Sequence, residues 1–415
     1  MRKEFLANNW KAFPAMPPTS SLPQGTSFKS GRITAIRSKQ EIFIGADSLA
    51  YNEEWTLVPA QRPLKGMEIF SVLKEGDLVA FCENQIWLLV PQQRELRLKV
   101  QAPEKKLLKD YSDFLGQVRK FFSEQGFLEA HTPGLVVCPG TEPYLDVFTS
   151  EFRLGKKHLS LYLPTSPELH LKKMLALDYG PLFEIKNCFR NGEISDHHEP
   201  EFVMLEWYRP FDNLDSIAKD VEKLIQFFRS NESTKVKSVS MSELFLQYLN
   251  FVLTPKTTRL ELLQLAKTNN VGVSENDSID DIFNQIFLEK IESTMPTEMP
   301  LLVRDYPPYL AAYSRLTGEG WADRFEIYWQ GLELANAFHE INDPVLQMER
   351  MKLDLDKKEK TGRTTLPLDE EFLQALEAGI PPTGGIALGL DRLFMILNRT
   401  KKIQDIKVFP YKRLV

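Results

Sequence analysis

The sequence predicts an α+β fold: an antiparallel β-sheet flanked by helices, preceded by a small all-β unit. Three observations predict it. Residues 183–189 and 202–208 are two runs with strand periodicity on either side of a polar, turn-forming loop, so they read as a long antiparallel hairpin. A second strand-rich stretch runs from 300 to 341. Helical periodicities surround these stretches without the regular strand–helix alternation of a parallel βαβ array.

Taken in order, residues 1–25 are rich in Pro and Ser and are expected to be poorly ordered, apart from a short docking segment around Phe5 to Trp10. Strand-like runs at Arg32–Ser38, Glu41–Gly45, Trp55–Val58, Asp77–Cys82 and Gln85–Val90 define a unit over 26–98, with Glu83-Asn84 as a hairpin tip. Five short strands in about 65 residues suit a small OB-like barrel, with a small sandwich or SH3-like barrel fitting nearly as well. Residues 92–105 read as a linker into a larger domain spanning 99–415. There, Leu107, Leu108, Tyr111, Phe114, Leu115, Val118, Phe121 and Phe122 recur at helical spacing, and Gly126 closes the helix. Ser166 is placed to cap a second helix with Pro167 in its first position. Further helical patterns fall at 213–230, 258–267, 277–292, 343–358 and 368–378.

Bulk properties narrow the function classes. Hydrophobic content of 43% and charged content of 26% are those of an ordinary globular chain. A net charge of −6 provides no global basic footprint for nucleic acid. The first hundred residues hold 13 Lys and Arg against 10 Asp and Glu, and the remainder 38 against 47, so only the N-terminal part is mildly basic. Cys82, Cys138 and Cys188 lack metal-ligand spacing, which argues for a reducing compartment and against a zinc site or disulfide framework. No apolar run reaches membrane-spanning length, and the expected location is the cytoplasm.

Three segments carry chemistry. On the first hairpin, alternation puts Glu184, Lys186, Cys188 and Arg190 on one face with Phe202, Met204, Glu206 and Tyr208, and sends Phe183, Ile185, Leu205 and Trp207 to the other. One face is apolar core, and the other suits a polar, partly aromatic ligand. In the second segment a turn centred on Trp329-Gln330 sets Glu326 opposite Glu333, a like-charge pair that a divalent cation would stabilise. Asn336, Phe338 and Glu340 share a face there, and Glu333 joins them only if a bulge intervenes near Ala335. The third segment runs from Gly384-Gly385 to Gly389, then enters a helix carrying Arg392 near its start, a setting for an anion such as a polyphosphate. Two arginines, paired glutamates and an aromatic make a nucleotide site on an antiparallel sheet, without Walker or Rossmann spacing.

These residues resemble the three signature motifs of class II aminoacyl-tRNA synthetases, lysine branch. Gly126-Phe127-Leu128-Glu129 through Thr132-Pro133 resembles motif 1, Phe189 to Glu206 motif 2, and Gly385 to Arg392 motif 3. Glu206-Trp207-Tyr208-Arg209-Pro210 and Leu334 to Glu340 look most like the paralogous branch that ligates (R)-β-lysine to elongation factor P. The resemblance implies a six-stranded antiparallel catalytic sheet in a homodimer, with ATP and Mg²⁺ as cofactors. It implies that Arg190, Asn191, Gly192, Glu193, His198, Glu199, Phe202, Glu326, Ile327, Gly389 and Arg392 bind ATP, with Arg190 and Arg392 catalytic. Glu326 and Glu333 would hold the metal. Ser166, Pro167, Glu168, Glu206, Tyr208, Glu333, Asn336, Phe338 and Glu340 would line a pocket for lysine or β-lysine. Acidic side chains suit a substrate with two ammonium groups, and this reasoning expects no basic partner inside the pocket. The implied reaction is attack of the amino-acid carboxylate on the α-phosphate, then acyl transfer to a lysine of elongation factor P.

Departures from the family pattern are expected to matter. Gly192 stands where a Glu is usual, with Glu193 one place later, and Glu199 replaces a common Asn. Ala335 and Ala337 replace glycines, and Ala335 is expected to narrow the pocket floor. Two alternative readings stay open: a lysyl-tRNA synthetase that uses the N-terminal unit on tRNA, and a non-catalytic binding protein.

Overall fold

The computed structural model describes residues 28–37, 41–44, 47–50, 56–58, 64–75, 77–82, 85–90, 105–229 and 235–414. The chain divides into two compact units, Met1–Lys99 and Val100–Val415. Residues 1–25, the Glu83-Asn84 tip and nearly all of the expected linker lie outside the described residues.

The first unit contains β1 (Phe28–Arg37), β2 (Glu41–Ile44), β3 (Asp47–Ala50), β4 (Thr56–Val58), β5 (Leu64–Lys65), β6 (Leu78–Cys82) and β7 (Gln85–Val90) in one sheet, ordered β3-β2-β1-β6-β7-β4-β5. Strand β4 joins β7 in parallel; the other pairs are antiparallel. Inward-facing Ile33, Ile42, Val79, Ile86 and Leu88 meet Ile69, Phe70 and Val72 in its core. Strands β3 and β5 escaped the sequence reading because two to four residues are too few to show a period.

In the second unit, the apolar stripe from Leu107 to Phe122 builds α1 (Lys105–Glu124), which ends where Gly126 turns left-handed at φ +81°. There follow β8 (Leu128–Glu129), the ribbon β9 (Thr149–Leu154) and β10 (Lys157–Tyr162), α2 (Glu168–Ala176), β11 (Leu182–Phe189), β12 (Glu201–Pro210) and α3 (Leu214–Phe228). Then come β13 (Lys237–Ser240), α4 (Met241–Leu249), α5 (Arg259–Thr268), α6 (Ile279–Ile286), β14 (Leu301–Tyr306), β15 (Ala322–Trp329) and β16 (Leu332–His339). The last elements are α7 (Pro344–Lys360), α8 (Glu370–Ala378), β17 (Thr383–Gly389) and α9 (Leu390–Leu397). Helix α4 was not anticipated, although Ser240 and Glu243 form a capping box that marks its start.

The main sheet runs β13-β14-β15-β16-β17-β12-β11-β8. Its six inner strands pair antiparallel throughout, as the resemblance implied, and β13 and β8 add a parallel strand at each edge. One face is sealed: Phe183, Leu205, Trp207, Ile386, Leu388, Phe325 and Ile327 pack under apolar residues of α1, α3 and α9. Each large apolar side chain buried this way contributes about 1.5–3 kcal/mol. The other face carries the polar residues.

The turn between β15 and β16 corrects one expectation. It falls at Gln330-Gly331, both at positive φ (52° and 75°), which is the backbone a two-residue hairpin turn of the I′ type demands. Glu326 therefore pairs with Asn336, and Glu333 lies opposite Tyr328. The register shifts between Ile327 and Tyr328, leaving Leu334 as the extra residue. This is the bulge needed to bring Glu333 to the same face as Asn336, Phe338 and Glu340.

Candidate active site

Strand pairing lays the open face out in rows. Along one row stand Glu184, Glu206, Ala387, Asn336 and Glu326, one from each of β11, β12, β17, β16 and β15. The adjacent row reads Leu182, Tyr208, Gly385, Phe338 and Arg324. On the other side Met204 pairs with Gly389. Large polar groups thus stand on the outer strands, and β17 contributes only Gly385, Ala387 and Gly389 between them. The small residues of β17 form the floor of a cleft.

At one end of the cleft are the two arginines. Arg190 lies just past β11, its guanidinium 5.1 Å from the centroid of the Phe202 ring and 4.0 Å from Glu193. Its Nε is buried without a hydrogen-bond partner among the described residues. Arg392, in the first turn of α9, donates to the Glu333 carbonyl at 2.5 Å and contacts His198 Nε2 at 2.6 Å. Burial, Arg392 and Arg190 push the His198 imidazole down to about 4, so it is neutral. Its Nε2 then accepts from Arg392, and Nδ1–H donates to Ser195 Oγ at 2.8 Å. Burial, then the Arg190 charge, lowers the Arg392 guanidinium below its usual range even though Glu333 supports it. Two cations held this close with incomplete pairing form a receptor for an anion.

Next along is the glutamate pair. Glu326 accepts from Tyr306 Oη at 2.7 Å and Tyr328 Oη at 2.5 Å on one oxygen, and from Arg324 and Asn336 on the other. Arg324 stacks on the Tyr306 ring at 4.4 Å and the Phe338 ring at 5.2 Å, and donates to Asn336 Oδ1 at 3.0 Å. Glu333 has no side-chain hydrogen bond among the described residues, and burial followed by the Glu326 charge pushes it up to about 7. Glu292 is also raised, by burial and then Glu326. Arg324, Tyr306, Tyr328 and Glu292 were missed from sequence. For Arg324 the signal was available, since it alternates with Glu326 on one strand.

At the far end lies an acidic pocket. Ser166 Oγ donates to Glu206 at 2.5 Å and accepts from the Glu168 N–H at 2.9 Å. Ser166 therefore does cap α2, with Pro167 in helical conformation just ahead of the assigned first turn. Tyr208 Oη donates to Glu206 at 3.0 Å. Burial and the nearby Glu168 push Glu206 up to about 8. One expectation fails here, because the pocket contains a cation. Lys172, fully buried, reaches both Glu168 and Glu340 at 2.5 Å. Burial pulls the Lys172 ammonium down, but the two carboxylates outweigh it and hold the group above its usual range. Its signal in the sequence was the i,i+4 spacing from Glu168 along α2.

Two of the expected site residues turn their side chains elsewhere. The Ile327 side chain sits in the sealed core against the helices, so only its backbone faces the strands that carry the site. Glu199 is buried and accepts from the Tyr411 N–H at 2.7 Å and Gln404 Nε2 at 3.2 Å, which commits its side chain to anchoring the C-terminal segment.

Residues 89–413 match the class II tRNA synthetases (D, K and N). A Haemophilus influenzae protein named elongation factor P–(R)-β-lysine ligase is 38% identical over 313 residues, covering 74% of this chain and 95% of that protein. Proteins of the same name from Hamiltonella defensa and Proteus mirabilis are 34% and 35% identical, covering 75% and 72% of this chain and 97% and 93% of theirs. This chain belongs to the class II tRNA synthetase family.

Its departures from the family pattern now have physical reasons. Gly192 adopts φ +81°, a left-handed turn that glycine accommodates and that a Glu would strain. Ala335 and Ala337 are buried in the sealed core, so Ala335 does not narrow the pocket. The floor position is Ala387, which is partly exposed between Glu206 and Asn336. Ala387→Val places two more methyl groups in the cleft, and we expect it to raise the amino-acid KM by about tenfold or more. An unchanged KM would show that the amino acid does not lie over β17.

Proposed function

We propose that this protein uses ATP to activate lysine or (R)-β-lysine as an adenylate and transfers the acyl group to a lysine of elongation factor P. The observation that carries this reading is the juxtaposition on one sheet face of an underpaired arginine couple with a pocket containing Glu168, Glu206 and Glu340. The relatives' name supports the acceptor.

In this reading Arg190 and Arg392 take the charge developing on the phosphates, neutral His198 orients them, and Phe202 stacks against adenine. The chemistry is positioning and charge neutralisation, and no side chain is covalently modified. The acids grip the two ammonium groups and aim the carboxylate at the α-phosphate. Glu333, without a hydrogen bond and raised beside Glu326, suits a divalent cation. Among the described residues no cluster of three or more His, Cys, Asp or Glu is set to hold a metal alone, so phosphate oxygens would complete its shell. When bound, Mg²⁺ would neutralise charge on the departing pyrophosphate.

The exchange of pyrophosphate into ATP tests this directly. It should depend on a diamino acid, and elongation factor P should gain the mass of one acyl group. Charging of tRNA with no gain on elongation factor P would favour the synthetase reading, for which the all-β character of the N-terminal unit is the supporting observation. No exchange with any amino acid would leave only the binding-protein reading. The pH dependence has a definite sign. Burial raises Glu206 to about 8, and its charged form is the one that receives an ammonium, so kcat/KM for the amino acid should climb from pH 6 to about 8. A flat profile over that range would contradict the assignment.

We also infer a homodimer built through the motif 1 region, supported by exposed Leu135, Val137, Phe152, Leu154 and Leu159 on and near the β9–β10 ribbon. Among the described residues no helix is long and apolar enough to cross a membrane, which is compatible with a cytoplasmic site of action.

A further inference from the structure

The proposed substrate leaves one side chain unexplained. Lys172 is fully buried in a pocket that must itself receive positive groups, and a fixed ammonium there ought to repel them. Its geometry shows why it does not simply compete. Lys172 Nζ ends on Glu168 Oε1 and Glu340 Oε2, each at 2.5 Å, and lies 5.5 Å from the Tyr313 ring centroid. Glu206 stands apart from it, with its oxygens held by Ser166 and Tyr208.

Once ionised, which for Glu206 means above about pH 8, the three carboxylates without Lys172 would carry three negative charges in a site largely closed to water. With Lys172 the sum is two. An amino acid with two ammonium groups brings two positive charges to the walls, while its carboxylate points out toward the arginines. We propose that Lys172 is a specificity-determining residue that sets the pocket's charge to match a diamino acid. The proposal rests on the reading of the site given above and deepens it. It also accounts for geometry, since one ammonium tying Glu168 on α2 to Glu340 at the end of β16 fixes the spacing of the acids that the substrate spans.

The groups that face Lys172 and its two partners are Glu206 and Tyr208 from β12, Tyr313 from the segment before β15, and Glu142 from the loop after β8. Removing the cation leaves these acids repelling one another, so they ionise at higher pH.

The test is pyrophosphate exchange on the full chain with lysine and (R)-β-lysine, across pH, for the parent, Lys172→Met, and the double variant K172M/E340Q. Lys172→Met should raise the amino-acid KM by about tenfold while the ATP KM stays within about twofold. Its acid limb should move up by about one pH unit. A purely structural defect would lower the amplitude and leave the limb in place. The double variant restores two negative charges and should return the limb to within about half a unit of the parent. It is the decisive arm if Lys172→Met alone fails to fold. An unmoved KM and limb in Lys172→Met, or a limb in the double variant still displaced by about one unit, overturns the proposal while the parent's exchange stands. A parent that exchanges with no diamino acid overturns both the reading and this proposal.

Discussion

Replacing Arg190 with alanine should lower kcat for pyrophosphate exchange by about 10²–10³-fold, or roughly 3–4 kcal/mol of transition-state stabilisation. Among the described residues Arg190 has one carboxylate within reach, Glu193 at 4.0 Å, and its Nε is buried without a hydrogen bond. The Phe202 ring and the Pro200 carbonyl, which accepts from the Arg190 N–H just ahead of β12, hold it in place. Arg392 is close enough for the two charges to disfavour each other. Such an arrangement is unfavourable when empty and becomes favourable when a polyphosphate arrives, more so as negative charge builds in the transition state. Arg190→Lys should recover only part of the loss, because an ammonium cannot present two parallel donors. Exchange within about twofold of the parent after Arg190→Ala would contradict the role.

The second large effect is expected from a methyl group. In Gly385→Ala the new Cβ would overlap Glu340 Oε1 and lie 2.5 Å from Tyr208 Cε1. Neither neighbour can yield easily, since Tyr208 is 3% exposed and Glu340 is tied to Lys172. Overpacking of this kind costs about 1–3 kcal/mol of stability. The displaced Glu340 should also raise the amino-acid KM by about tenfold or more. Gly389 is the control. A Cβ there meets nothing closer than the Arg392 side chain at 3.6 Å, so Gly389→Ala should leave thermal stability unchanged. If ATP lies over Gly389, the same variant should raise the ATP KM. Equal melting temperatures for the two alanine variants would show that the pocket is looser than these contacts indicate.

Much of this site could be read from alternation. The β11–β12 hairpin was assigned correctly, face by face, because Phe183, Ile185, Phe189, Val203, Leu205 and Trp207 keep a period of two and one face must be buried. The same rule misplaced the β15–β16 turn by one residue, because nothing in the pattern marks Gln330 as left-handed. The bulge at Leu334 was demanded by the grouping of Glu333 with Asn336 but could not be demonstrated without the register. Long-range partners were the main omission. Tyr306 reaches Glu326 from β14, and Lys172 reaches Glu340 from α2, across separations that no local period encodes. Assigning Ala335 to the pocket floor treated a family difference as though it faced the ligand, when the strand's own alternation sends that side chain to the core.

The most direct test of the account is a crystal structure of the protein with a non-hydrolysable ATP analogue and (R)-β-lysine. The triphosphate should lie against Arg190 and Arg392, and the two ammonium groups among Glu168, Glu206 and Glu340, with the carboxylate directed at the α-phosphate over β17. Nucleotide bound away from those arginines, or an amino acid outside the acidic pocket, would contradict it.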